Sequence, residues 1–66
     1  MSHTYEVFVD ILELTGSSLA DSAMMTERYE VLADTRKGAD TLARNKAKTD
    51  HPSGVEFDIR VTRSIH

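Results

Sequence analysis

Three stretches of this chain alternate apolar and polar residues at every second position, and a fourth repeats its apolar residues at helical spacing. In residues 5–12, Tyr5, Val7, Val9 and Ile11 fall on one side of a pleat, and Glu6, Phe8 and Asp10 on the other. This is the longest strand-like run in the sequence, and it reads as the central strand. Residues 27–33 place Tyr29, Val31 and Ala33 inward, with Glu30 and Leu32 outward. Residues 55–62 alternate most cleanly, with Val55, Phe57, Ile59 and Val61 inward and Glu56, Asp58 and Arg60 outward.

Between the second and third strands, Asp34 and Thr35 are both suited to cap a helix, because a short side-chain oxygen accepts an unpaired amide hydrogen of the first turn. The apolar positions Ala39, Leu42, Ala43 and Ala47, with the stem of Lys46 between them, follow one helical face. A face made largely of alanine lets the helix lie close against a sheet. Gly38 weakens the first turns by roughly 1 kcal/mol relative to alanine. The run Asp50-His51-Pro52-Ser53-Gly54 ends the helix, since proline disfavours helical geometry in the residue before it.

The segment 15–26 holds small and polar residues without lasting periodicity, and it reads as a long hairpin loop. Its apolar residues Leu19, Met24 and Met25 serve either as an adaptable contact for a partner or as a cover for one end of the core. Residues 63–66 read as a frayed tail.

The order strand, strand, helix, strand predicts one small α+β domain spanning residues 1–66. A hairpin followed by a right-handed crossover gives a ββαβ fold, with an antiparallel or mixed three-stranded sheet in the order 2-1-3 and one helix on one face. The other face is left open. It is expected to carry Glu6, Phe8, Asp10, Glu30, Leu32, Glu56, Asp58 and Arg60.

With 66 residues and no cysteine, the chain has neither a disulfide nor a thiolate site to support a small core. Domains of this size retain only about 3–5 kcal/mol of net stability, which makes help from a partner a natural expectation. Asp10 and Glu13 interrupt the hydrophobic run far short of a membrane span, and the first residues do not read as a signal peptide. A soluble, cytoplasmic protein is expected. The net charge of −3 is uneven: residues 1–33 sum to −5 and residues 34–66 to +2.

Catalytic chemistry finds no foothold in this pattern. His3, His51 and His66 lack metal-ligand spacing, and no serine sits in a nucleophile motif. The glycines form no phosphate loop, so no metal, no cofactor and no enzymatic activity are expected. The open face is the leading candidate for function, as a docking surface for a basic protein partner with Phe8 and Leu32 as apolar anchors in a charged rim. Solvation alone, or a homodimer contact, is the competing account of the same face. The alternative site is the helix, where Arg36, Lys37, Arg44 and Lys48 can contact nucleic-acid phosphates.

At Tyr29-Glu30-Val31-Leu32-Ala33-Asp34-Thr35-Arg36-Lys37-Gly38-Ala39-Asp40-Thr41-Leu42-Ala43, a strand ends in Ala-Asp-Thr and an alanine-rich helix follows, with an alternating strand after it. In this the chain resembles small phage-encoded inhibitors of host factors, the class that includes the podovirus inhibitor of host RNA polymerase and certain anti-CRISPR proteins. The likeness covers about residues 27–62. It implies a non-enzymatic phage or mobile-element protein, acting in the host cytoplasm by binding a host protein complex and modulating or inhibiting it.

Overall fold

The computed structural model describes residues 2–16 and 22–65. Strand β1 (His3–Leu14) is followed by β2 (Ser22–Ala33), helix α1 (Arg36–Asp50) and β3 (Gly54–Ser64). The strands form one sheet in the order β2-β1-β3, with β1 antiparallel to both neighbours. The ββαβ arrangement and its strand order are those the alternation predicts. The helix lies over one face of the sheet and touches all three strands.

The inner face is built from the odd-numbered residues of β1. Val7, Val9 and Ile11 are fully buried, and they face Ala39, Ala43 and Ala47, which follow one another at single-turn spacing along α1 and are also fully buried. Tyr5, Val31 and Ala33 complete the core, while Met25, Tyr29, Phe57, Ile59 and Val61 pack around it. Because the helix contributes only methyl groups against the buried Val7, Val9 and Ile11 side chains, it lies close to the sheet and the seam has no room for a larger side chain.

Thr35 supplies the N-cap: it has extended backbone angles, and its hydroxyl accepts the Gly38 amide at 3.0 Å. Asp34, the other candidate cap, instead accepts a hydrogen bond from the Ser2 hydroxyl at 3.0 Å. At the far end the His51 amide donates to the Ala47 carbonyl, and the Gly54 amide returns to the His51 carbonyl at 2.9 Å, so the chain turns directly into β3.

Several boundaries and orientations differ from expectation. Strand β2 begins at Ser22, so Ser22–Thr26 belongs to the ladder and not to a loop reaching residue 26. These residues lack alternation because the small Ser22 and Ala23 and the adjacent methionines are polar or apolar on both faces; pairing with residues 10–14 of β1 orders them. Leu19 lies outside the described residues. Arg63 and Ser64 belong to β3 and not to a tail, since an extra residue at Thr62 resets the register and lets Arg63 pair with Glu6. A second irregularity inserts Val55 between Glu56 and Gly54, the partners of Leu12 and Glu13. Val55 is therefore 49% exposed and does not point into the core. Leu42 is also not a core residue: it sits beside the alanine seam at 40% exposure, over Tyr29 at the β2 side of the helix.

Candidate docking surface

The register places Thr4, Glu6, Phe8, Asp10 and Leu12 of β1 on the sheet face away from the helix. Leu32, Glu30, Arg28, Thr26 and Met24 of β2 lie opposite them on one side, and Arg63, Arg60, Asp58 and Glu56 of β3 on the other. Every residue assigned to the open face from the sequence lies on it. Among the described residues, no second layer covers this face.

Its electrostatics are more balanced than a list of its acids suggests. Glu6 is only 8% exposed, at the centre of a closed network. Arg28 Nε donates to its Oε2 at 3.0 Å and Arg63 Nε to its Oε1 at 3.3 Å. The Thr62 hydroxyl lies 2.9 Å from the same carboxylate and 3.0 Å from the Glu6 carbonyl, so its single proton is shared. These donors, the Thr62 hydroxyl first and then Arg28, hold the Glu6 carboxyl below its ordinary pKa. Arg28 also donates to Glu30 at 2.8 Å, and the two carboxylates keep its guanidinium firmly charged.

Asp10 is held in the same way. It accepts the Thr26 hydroxyl at 2.7 Å and Arg60 Nη2 at 3.1 Å, and these interactions lower its pKa, the Thr26 bond most of all. The Arg60 guanidinium lies 5.9 Å from the centre of the Phe8 ring, so one cation covers the one aromatic that the described residues place on the face and also neutralises Asp10. Glu6 and Asp10 thus stabilise the sheet internally and do not act as free rim charges. Sequence reasoning missed this because Arg28, Thr62 and Arg63 come together with Glu6 only through the register. The one local signal was the alternation that places Glu6, Arg28 and Glu30 on outward positions.

The side chains left available divide between the two edges. Glu56 and Asp58 on β3 make no hydrogen bond or ion pair with any described residue, and Asp58 stands directly opposite Asp10. On β2, Met24 is 66% exposed and Leu32 is 64% exposed. Phe8 and Leu12 are half-buried between them. Met25, assigned to the partner surface from the sequence, does not lie there: it faces the helix side, opposite Ile11, and packs on the core.

The helix cations are spread over more than one surface. Arg36 donates to the Val61 carbonyl of β3, and Arg44 lies 3.4 Å from Asp40. Lys37, Arg44 and Lys48 fall on one helical face, and Arg44 and Lys48 line a groove toward β3 with His51, Pro52 and Phe57. At the C-terminal end of α1, His51 sits between two carboxylates, with Nδ1 3.6 Å from Glu13 and Nε2 3.2 Å from Glu27. Beside it the Tyr29 hydroxyl donates to Asp50 at 2.9 Å, and burial, followed by that bond, pushes the Tyr29 pKa up to about 12. Glu27 was not singled out in the sequence, although its odd position on β2 points it to this side. Among the described residues, no group of three His, Asp or Glu side chains is arranged to hold a metal ion. No described helix is long and apolar enough to cross a membrane.

Comparison of the chain with family models, curated proteins and solved structures finds no match.

Proposed function

We propose that this chain is a non-enzymatic binding protein that docks a protein partner on its open sheet face. The observation that carries this reading is the presence on one face of exposed apolar side chains, Met24 and Leu32, and two carboxylates without a partner among the described residues, Glu56 and Asp58, with the half-buried Phe8 between the two edges. A few exposed apolar anchors are the usual way a small interface concentrates its energy. Free carboxylates favour a partner that presents lysine or arginine. In keeping with the sequence resemblance, the class proposed is a phage or mobile-element protein that binds a host macromolecular complex, of the RNA polymerase or CRISPR effector type, and modulates or inhibits it.

The test is affinity capture from a lysate of the source cell, with three forms of the tagged protein compared by mass spectrometry. Capture is expected with the wild type and with Lys37→Glu/Lys48→Glu, and is lost with Glu56→Lys/Asp58→Lys. If the same partners come down with the strand variant at wild-type yield, the open face is not the docking surface.

Nucleic-acid binding is the second reading, favoured by the single helical face that Lys37, Arg44 and Lys48 share. Phosphate contacts would make affinity for duplex DNA fall steeply with salt. Absence of binding at low salt removes this reading.

A further inference from the structure

We propose that two copies of this chain pair β2 against β2 about a two-fold axis through Arg28, merging their sheets into one antiparallel sheet of six strands. The inference rests on the backbone and register of β2, and it shares Met24 and Leu32, but not Glu56 or Asp58, with the docking surface.

The two sheet edges are not equivalent. Strand β3 carries two register irregularities, at Val55 and Thr62, and bulges of this kind bend an edge and discourage pairing with another strand. Strand β2 pairs with β1 over its whole length without interruption. Ser22–Ala33 also contains no proline or lysine, two residues that commonly guard an exposed edge, and its charges are confined to Glu27, Arg28 and Glu30 near its middle.

The groups that β2 offers can be read from β1. The Thr4 carbonyl accepts the Ile65 amide at 2.7 Å and the Glu6 carbonyl accepts the Thr62 hydroxyl, so even-numbered residues of β1 direct their backbone groups toward β3. Odd-numbered residues then bond β2, where their partners are Met25, Glu27, Tyr29 and Val31. It follows that Met24, Thr26, Arg28, Glu30 and Leu32 turn their amides and carbonyls outward, to an edge that no described strand covers.

Antiparallel pairing must set these even residues against even residues of the second copy, so the axis passes through a residue and not between two, and the centres that keep most of Ser22–Ala33 paired are residues 26 to 29. Centring on 26 would oppose Met24 to Arg28 and leave Leu32 beyond the paired length. Centring on residue 28 sets Met24 opposite Leu32 of the second copy, and Leu32 opposite Met24 of the second copy. The two most exposed large apolar side chains among the described residues thereby stand side by side across the seam, on a face that stays open to solvent. On the helix side the same register sets Met25 opposite Val31 of the second copy and Ala23 opposite Ala33 of the second copy. Centring on 27 would oppose Glu27 to its own copy and Met24 to a glutamate. Centring on 29 would oppose Leu32 to Thr26 and Glu27 to Val31.

The cost of the favoured register is that Arg28 faces its counterpart. Each guanidinium, however, already bonds Glu6 at 3.0 Å and Glu30 at 2.8 Å, and Glu30 of the second copy lies on the diagonal. The four side chains form a ring of alternating sign. Residues 23–33 then give a contact line about 35 Å long at ~3.4 Å per residue, with both helices on one side and both open faces continuous on the other.

Sedimentation equilibrium of the wild-type chain should return a dimer. Met24→Lys and Leu32→Lys each alter two symmetry-related pairs, so the dissociation constant should rise about tenfold or more, while the circular dichroism spectrum stays unchanged. Since the chain has no native cysteine, single cysteines report the register. Under mild oxidation Arg28→Cys should form a disulfide-linked dimer, and Glu27→Cys and Tyr29→Cys should not. A wild-type monomer at concentrations used for NMR, a dimer that both lysine variants leave intact, or cross-linking through position 27 or 29 in place of 28 would each overturn the proposal. None of these outcomes touches Glu56, Asp58 or their capture of a partner, so the two readings fail separately.

Discussion

An alanine at position 54 needs space for a methyl group where the chain has packed itself closed. A Cβ built there lies 2.5 Å from Phe57 Cζ, 3.1 Å from the His51 carbonyl oxygen and 3.2 Å from Ile11 Cγ2. The Phe57 ring can swing away, but it then gives up contact with the core beside Ile11. The His51 carbonyl cannot retreat without stretching its 2.9 Å bond to the Gly54 amide. Overpacking of this kind costs about 1–3 kcal/mol, and the lower entropy of an unfolded chain with alanine offsets about 0.4–1 kcal/mol of it. Gly54→Ala should therefore destabilise the fold by about 1–2 kcal/mol, and at ~4–8 °C per kcal/mol for a domain of this size the Tm should fall by about 5–15 °C.

Gly38 provides the internal control. A Cβ there meets only Thr35 Oγ1 at 3.3 Å and Ala33 Cβ at 3.5 Å. Alanine gains up to about 1 kcal/mol of helix propensity at such a position, so Gly38→Ala should leave the Tm unchanged or raise it by a few degrees. Both variants are read by thermal unfolding followed by circular dichroism at one fixed protein concentration, because association makes Tm concentration-dependent. A Tm for Gly54→Ala equal to or above that of the wild type would refute the packing described at the start of β3.

Three further outcomes follow from the same geometry. Ala43→Leu places a larger side chain in the closed alanine seam and should cost about 1–3 kcal/mol, measured as a lower denaturant midpoint. Glu6 and Asp10 have folded-state pKa values below their ordinary 4.5 and 3.8, so the unfolded chain takes up protons first as the solution is acidified. Their contribution is complete above those values and is lost as the pH falls through the lower folded-state ones; acid titration of Glu6→Gln should show a shallower loss than the wild type. Tyr29 works in the opposite sense, because its folded-state pKa of about 12 lies above the ordinary 10.0. Its contribution is present below pH 10.0 and is lost as the pH rises toward 12, and Tyr29→Phe should remove that alkaline component from the stability profile.

Local signals sufficed for the elements and their order. The alternation of Tyr5, Val7, Val9 and Ile11 marked the inner face of β1, the alanines at 39, 43 and 47 marked the face of the helix, and Pro52 with Gly54 marked its end. What stayed hidden depends on register. Ser22–Thr26 is held as a strand by the opposing strand and carries no pattern of its own. Val55 was placed in the core by extrapolating an alternation that the irregularity beside it breaks. The open face was legible as a surface but not as a charge distribution, because Glu6 is neutralised by Arg28 and Arg63, which lie 22 and 57 residues away along the chain. Met24 and Met25 look interchangeable in sequence, yet the pleat sends one to solvent and the other to the core.

The bare sheet face is tested most directly by NMR with a soluble paramagnetic probe, which weakens the signals of groups that solvent can approach. The methyl groups of Met24 and Leu32 should be strongly attenuated and the Phe8 ring partly so, while Val7, Val9 and Ile11 keep their intensity under the helix. Pairing through the β2 edge preserves this contrast, because it extends the face without covering it. Protection of Phe8, Met24 and Leu32 equal to that of Val7, Val9 and Ile11 would show that a second layer conceals the face and that no docking surface exists there.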